Sequence, residues 1–136
     1  ILASGAVLGG HVQVDERAFV SGNCVVHQHV RVGRFVMMQG LSRTSRDVPP
    51  FCIMDYKHVV RGINRVGLQR AGFDGERIRA LRRAFAQLFG RPRNLRLALA
   101  EVEQGPLTDD VRHLIEFIRA SKRGVCFGPR ERAAEE

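Results

Sequence analysis

Histidine and arginine are the residues of this chain most able to do chemistry. His11, His27 and His29 are clustered enough to be imagined as a three-imidazole zinc site shared between subunits, although no established zinc spacing is evident. From Arg65 to Arg96 nine arginines face only Asp74 and Glu76, and the chain as a whole carries +8. Such a field draws anions: nucleic acid, phosphorylated substrates, an acidic carrier protein or a membrane surface. A solvated basic face would read the same way. Cys24, Cys52 and Cys126 are widely spaced, with no C-x-x-C. That argues against a disulfide framework and a cysteine zinc site, and suits a reducing, cytoplasmic compartment.

These side chains must be held by something, and the first third of the sequence shows what. Every sixth residue from Leu2 is aliphatic or Met: Leu2, Leu8, Val14, Val20, Val26, Val32 and Met38. Four residues after each come Ala6, Val12, Ala18, Cys24, Val30, Val36 and Ser42, all small or β-branched. A six-residue period predicts a parallel β-helix, each repeat forming one side of a triangular prism. A helix would show spacings of three and four, and a meander would carry tight-turn signals. Three hexads make a coil, so residues 18 apart stack, and His29 falls one coil beyond His11 on the same face. Cys24 occupies a small inward position and is expected to pack. The pattern stops after Ser42, and Pro49-Pro50 cannot continue a central strand. Phe51-Cys52-Ile53-Met54 reads as a last strand.

The remainder reads as helical. Residues 55–72, with Gly62, Gly67 and Gly72, form a connector. Asp74 caps a helix with Ile78, Leu81, Phe85 and Leu88 on one face, and Gly90 stops it. Asn94 caps a second helix bearing Leu95, Leu99 and Val102, which Gly105-Pro106 breaks. Thr108 caps a third, with Val111, Leu114, Ile115 and Ile118 inward and Gly124 ending it. The expected division is therefore the end of a β-helix over 1–54, the connector, a helical subdomain over 73–124 and a mobile tail over 125–136. No apolar run reaches the roughly 18 residues of a membrane span. The chain begins inside a repeat without Met, so further residues are expected upstream.

Four motifs occur in order: Leu8-Gly9-Gly10-His11-Val12, Val26-His27-Gln28, Asp47-Val48-Pro49-Pro50 and Gly67-Leu68-Gln69-Arg70-Ala71-Gly72-Phe73. Together with Ser121-Lys122-Arg123-Gly124 they resemble the C-terminal half of the UDP-N-acetylglucosamine O-acyltransferases, members of the hexapeptide-repeat acyltransferases. The resemblance implies a left-handed parallel β-helix and a homotrimer with active sites between subunits. Handedness could not come from periodicity, because parallel crossovers are otherwise right-handed in about 98% of cases. It further implies transfer of a 3-hydroxyacyl group from acyl carrier protein to the 3-hydroxyl of UDP-N-acetylglucosamine, the first step of lipid A synthesis. No metal, cofactor or covalent intermediate is implied. The chemistry needs positioning, a base of near-neutral pKa and an oxyanion donor.

Residue by residue, the resemblance makes Gly10 the oxyanion N–H donor and His11 an assisting active-site histidine. His27 and Gln28 lie near the substrate, and His58 is a connector histidine beside it. Asn64 and Arg70 hold the nucleotide, where an arginine suits a diphosphate. Met37 and Gly40 belong to the acyl groove, and glycine at 40 leaves room for a longer chain. Val66 stands where the family often has an acidic residue and Ala71 where it has a second arginine, two losses that bear on nucleotide binding. The family's catalytic base would lie on a coil before Leu2. His29 receives no role and is expected as a stacked surface histidine.

Three rivals stay open. One is a related acyltransferase acting on the amine of UDP-3-O-acylglucosamine, against which the Gly67-to-Phe73 motif argues. Another is a zinc prism enzyme of carbonic-anhydrase type. The third is a non-catalytic module binding carrier protein or nucleic acid through its arginines, although no nucleic-acid signature is present.

Overall fold

The computed structural model describes residues 1–92 and 94–129. Seven two-residue strands follow one another at intervals of six: β1 (Val7–Leu8), β2 (Gln13–Val14), β3 (Phe19–Val20), β4 (Val25–Val26), β5 (Arg31–Val32), β6 (Met37–Met38) and β7 (Arg43–Thr44). They stack in parallel on three separate sides, β1-β4-β7, β2-β5 and β3-β6. Val7 faces Val25 and Phe19 faces Met37, the 18-residue register of a three-sided coil. The inward Val20, Val26, Val32 and Met38 are at most 1% exposed. Each such side chain contributes about 1.5–3 kcal/mol by leaving water.

The first seven corners are each turned by a residue in left-handed backbone. His11, Arg17, Asn23, His29, Phe35 and Leu41 have φ from 57 to 66°, and Gly5 sits at the same register with φ 79°. The conformation costs a non-glycine residue roughly 1–2 kcal/mol. The ladder on either side of each corner holds it there.

The coil continues further than the aliphatic pattern. The repeat was expected to end after Ser42, but Thr44 occupies the next inward position at 4% exposure. Its hydroxyl donates to the Arg46 carbonyl at 2.8 Å and meets Cys126 Sγ at 3.3 Å. A polar residue with internal partners can stand in an apolar column, and a hydropathy pattern passes over it. Val48 bridges Val32 in parallel, so the prolines after it lie beyond the paired residue. The last coil is shorter, so Met38 faces Met54 on β8 (Cys52–Asp55).

The connector also needs correction. Residues 55–72 contain β9 (Val59–Ile63), antiparallel to β8, and the short helix α1 (Arg65–Arg70). The strand alternation was hidden by Gly62 and by a bulge at Ile53/Met54. The tail differs too. Val125, Cys126 and Phe127 are buried, with Val125 bridging Asp47 and Phe127 bridging Val59. They close the open end of the prism. The rest of the expected tail, 130–136, lies outside the described residues.

Helices α2 (Gly75–Phe89), α3 (Leu95–Gln104) and α4 (Asp109–Ala120) are capped by Asp74, Asn94 and Thr108, whose side chains accept N–H groups of the first turn. The last helix stops at Ala120, ahead of the expected Gly124. A bidentate Arg77–Asp110 pair, both contacts 2.9 Å, ties α2 to α4, and the Arg77 guanidinium lies 3.6 Å over the Phe73 ring. Phe51, fully buried at a corner, meets Phe35, Phe73 and His113 and so joins prism to helices.

His113 Nε2 is buried there without a hydrogen-bond partner among the described residues. Desolvation lowers its pKa from the ordinary 6.5, and Arg34 and Arg31 push the same way against Asp15 and Glu116. The unfolded chain therefore binds this proton more readily than the fold does. Stability from neutral His113 is complete above about pH 6.5 and is lost as pH falls through the lower folded value. The slope of unfolding free energy in that acidic window should flatten in His113→Asn. An unchanged slope would mean that His113 is not the titrating group.

Candidate functional site

The corner that follows the β1-β4-β7 side collects Gly10, His11, His27 and Gln28 among the candidate residues. Gly9, Gly10 and His11 turn it in one coil, and His27, Gln28 and His29 turn it in the next. Gly9 N–H donates to the Val26 carbonyl at 2.8 Å, His29 N–H to the Gly10 carbonyl at 2.9 Å, and His27 N–H to the Thr44 carbonyl at 3.0 Å. These bonds lock the coils in register.

The two glycines there have different physical reasons. A Cβ on Gly9 would lie 2.5 Å from Gln28 N and 2.8 Å from its Cα, so the coils can approach only over a glycine. A Cβ on Gly10 would meet nothing within 4 Å, and its φ is not positive. The fold thus makes no demand for glycine at position 10. Its N–H, on an exposed residue, makes no hydrogen bond among the described residues.

His11 and His29 stack face to face, centroids 4.8 Å apart and rings 3° from parallel. The expected stacked histidine is therefore a direct neighbour of an active-site candidate. The pair lines a cleft of about 530 Å³ with Gln13, Arg31, Lys122 and Arg123, between the prism and the end of α4. His27 faces a separate groove of about 200 Å³, shared with Val25, Arg43, Lys57 and His58. His58 is fixed at Nδ1, which the Thr44 hydroxyl meets at 3.2 Å and to which Ser45 N–H donates at 3.4 Å. Among the described residues no group of His, Cys, Asp and Glu could hold a metal ion. The three-histidine arrangement is divided between two grooves.

The remaining candidates lie elsewhere on the prism. Met37 points outward on β6 between Phe19 and Ile53, and Gly40 turns the next corner, exposed. Between that corner and the Gly10 corner, the β1-β4-β7 side presents Val7 and Val25, 58% and 49% exposed, as an apolar strip. Asn64 is at a third corner. It caps α1 by accepting from Gly67 N–H at 3.2 Å and donates to the Phe35 carbonyl at 2.8 Å. Both ends of its amide are therefore engaged in the fold. Arg70 is exposed in the last turn of α1.

Sequence reasoning missed Arg31, Lys122 and Arg123 as site residues, because the fold alone brings α4's end to the prism. It also missed the part played by Asp47. This carboxylate is 2% exposed, accepting Arg31 N–H at 2.8 Å and the Ser121 hydroxyl at 2.6 Å. Cys52 and Cys126 are poor nucleophiles. Burial raises the Cys52 thiol well above its usual range and pushes Cys126 up to about 12. Both stay protonated at neutral pH.

Comparison with known proteins gives a consistent result. Residues 47–126 match the family model described as UDP N-acetylglucosamine O-acyltransferase, domain 2. The acyl-[acyl-carrier-protein]--UDP-N-acetylglucosamine O-acyltransferase of Nautilia profundicola is 35% identical over 93% of this chain and 49% of its own length. Two solved structures are similar. The UDP-N-acetylglucosamine acyltransferase of Francisella novicida superposes with TM-score 0.88 at 27% identity, over 97% of this chain and 49% of that one. The Campylobacter jejuni enzyme gives 0.86 at 34%, over 93% and 50%. The chain spans about half the length of the curated relatives it matches. Among the described residues no helix is long and apolar enough to cross a membrane.

Proposed function

This chain belongs to the UDP-N-acetylglucosamine O-acyltransferase family, and from that membership we propose that it forms part of the enzyme transferring a 3-hydroxyacyl group from acyl carrier protein to the 3-hydroxyl of UDP-N-acetylglucosamine, the first step of lipid A biosynthesis. The observation that carries the reading is the Gly10 corner: an N–H without a hydrogen bond among the described residues, on an exposed glycine the fold does not require. An N–H held rigidly by a ladder stabilises developing negative charge without reorganising. The thioester carbonyl approaches Gly10, and His11 assists from the adjoining position. His27, Gln28 and His58 flank the sugar and acyl group, and the general base comes from outside these residues.

The acyl chain runs over the apolar strip of Val7 and Val25 towards Met37 and Gly40. Arg70 meets the diphosphate, and Asn64 acts on the nucleotide chiefly by fixing the start of α1. These residues occupy three corners of one prism. They can surround one substrate only when neighbouring prisms face each other, which supports a homotrimer of left-handed β-helices with shared sites. An acidic carrier protein is matched by the exposed arginines of α2, among them Arg79, Arg82 and Arg83. A reaction of this kind takes place in the cytoplasm.

Purified full-length enzyme supplied with 3-hydroxyacyl carrier protein should acylate UDP-N-acetylglucosamine. Acylation of UDP-3-O-acylglucosamine alone, at its amine, would replace this reading with the related N-acyltransferase.

A further inference from the structure

Apart from His11, the residues lining the cleft behind the His11–His29 pair have no part in the reaction as described so far. Its walls are cationic from two directions. Arg31 reaches it from the β2-β5 side, its guanidinium 4.3 Å over the Phe117 ring, while Lys122 and Arg123 enter from the segment after α4. The stacked imidazoles and the Gln13 amide complete it. The one carboxylate on its wall, Asp47, is turned inward, with Oδ1 taken by Arg31 N–H and Oδ2 by the Ser121 hydroxyl.

A bland account exists for two of these charges. Basic residues just beyond a helix complement the negative end of its dipole, and Lys122 and Arg123 stand in that position after α4. It does not explain why Arg31, the imidazole pair and Gln13 face them across about 530 Å³ of open space. Three full cations and several further N–H donors line a cleft large enough for a phosphate group and part of its carrier. Arginine, lysine and imidazole are the side chains that bind phosphate through charge-assisted hydrogen bonds.

We propose that the cleft bounded by His11, His29, Arg31, Lys122 and Arg123 is a phosphate-binding subsite. It deepens the proposed reaction and rests on it only for the source of the phosphate. A nucleotide-sugar diphosphate and the phosphodiester of a carrier protein's pantetheine arm share this chemistry, and both reach the Gly10 corner.

The test is calorimetric titration of the full-length enzyme with pyrophosphate at low salt. Saturable binding of one anion per chain is expected. Lys122→Gln should weaken it about tenfold or more, the loss of one charge-assisted contact. Arg96→Gln removes a charge from exposed α3 and should leave it unchanged. Equal weakening by both variants would show only diffuse attraction and would overturn the subsite, as would the absence of saturation. Competition then identifies the source: displacement of pyrophosphate by UDP-N-acetylglucosamine assigns the diphosphate, displacement by 4′-phosphopantetheine assigns the arm, and displacement by neither overturns the subsite. This readout does not depend on acyl transfer. A full-length enzyme that binds phosphate in the cleft while it acylates no nucleotide sugar would remove the proposed function and leave the subsite standing.

Discussion

Gly10→Ala should leave the fold intact and lower acyl transfer by about a hundredfold in the full-length enzyme, the scale of losing one oxyanion contact. The first half follows from space. The new methyl meets nothing within 4 Å, and the backbone there does not need positive φ. Replacing glycine at such a position restricts the unfolded chain, so stability should hold or rise by about 0.4–1 kcal/mol. The second half follows from what must occupy that space. A methyl beside the Gly10 N–H pushes the thioester oxygen out of hydrogen-bond range, and each 1.36 kcal/mol lost is about tenfold in rate. Gly9→Ala is the control with the opposite signature. Its methyl runs into Gln28 backbone at 2.5 Å, so it should lower the melting temperature as well as the activity. Thermal melts and initial rates on both variants separate the two roles. Full activity in Gly10→Ala would exclude this N–H as the oxyanion donor.

What the sequence discloses follows from how many residues carry each signal. The prism repeats one instruction seven times, so Leu2 through Met38 reveal it despite variation at any one position. Thr44 breaks the chemical rule while obeying the geometric one, because its hydroxyl is satisfied internally, and the reading stopped one strand early. Left-handed corners at Arg17, Phe35 and Leu41 left no trace, since those residues do not favour that backbone and are held there by the ladder. The site divides in the same way. The resemblance named Gly10, His11, His27 and Gln28, and the repeat, acting as a ruler, sets them along one corner. Arg31, Lys122 and Arg123 were not legible, because their meeting depends on where α4 ends, and no local spacing encodes it.

Asp47 is the hinge of that meeting, and Asp47→Ala should cost roughly 3–5 kcal/mol of stability. Its carboxylate is the only side chain that bonds both to the prism, through Arg31 N–H, and to the end of α4, through the Ser121 hydroxyl, among the described hydrogen bonds. The surrounding backbone depends on the same residue. Asp47 N–H donates to the Gly124 carbonyl and its own carbonyl accepts from Cys126 N–H, so the closing segment is paired at this point. Truncation leaves a part-buried N–H and a part-buried hydroxyl without these partners, at up to about 1–3 kcal/mol each. It also leaves Arg31, Lys122 and Arg123 without their nearby counter-charge. Ser121→Ala removes one of the two carboxylate bonds and should cost about 1–2 kcal/mol. Urea unfolding of the two single variants and the double variant gives the coupling directly, since contacting residues are not additive. An Asp47→Ala chain within about 0.5 kcal/mol of the parent, the range of an ordinary surface change, would show that the prism and helices are held together without this carboxylate.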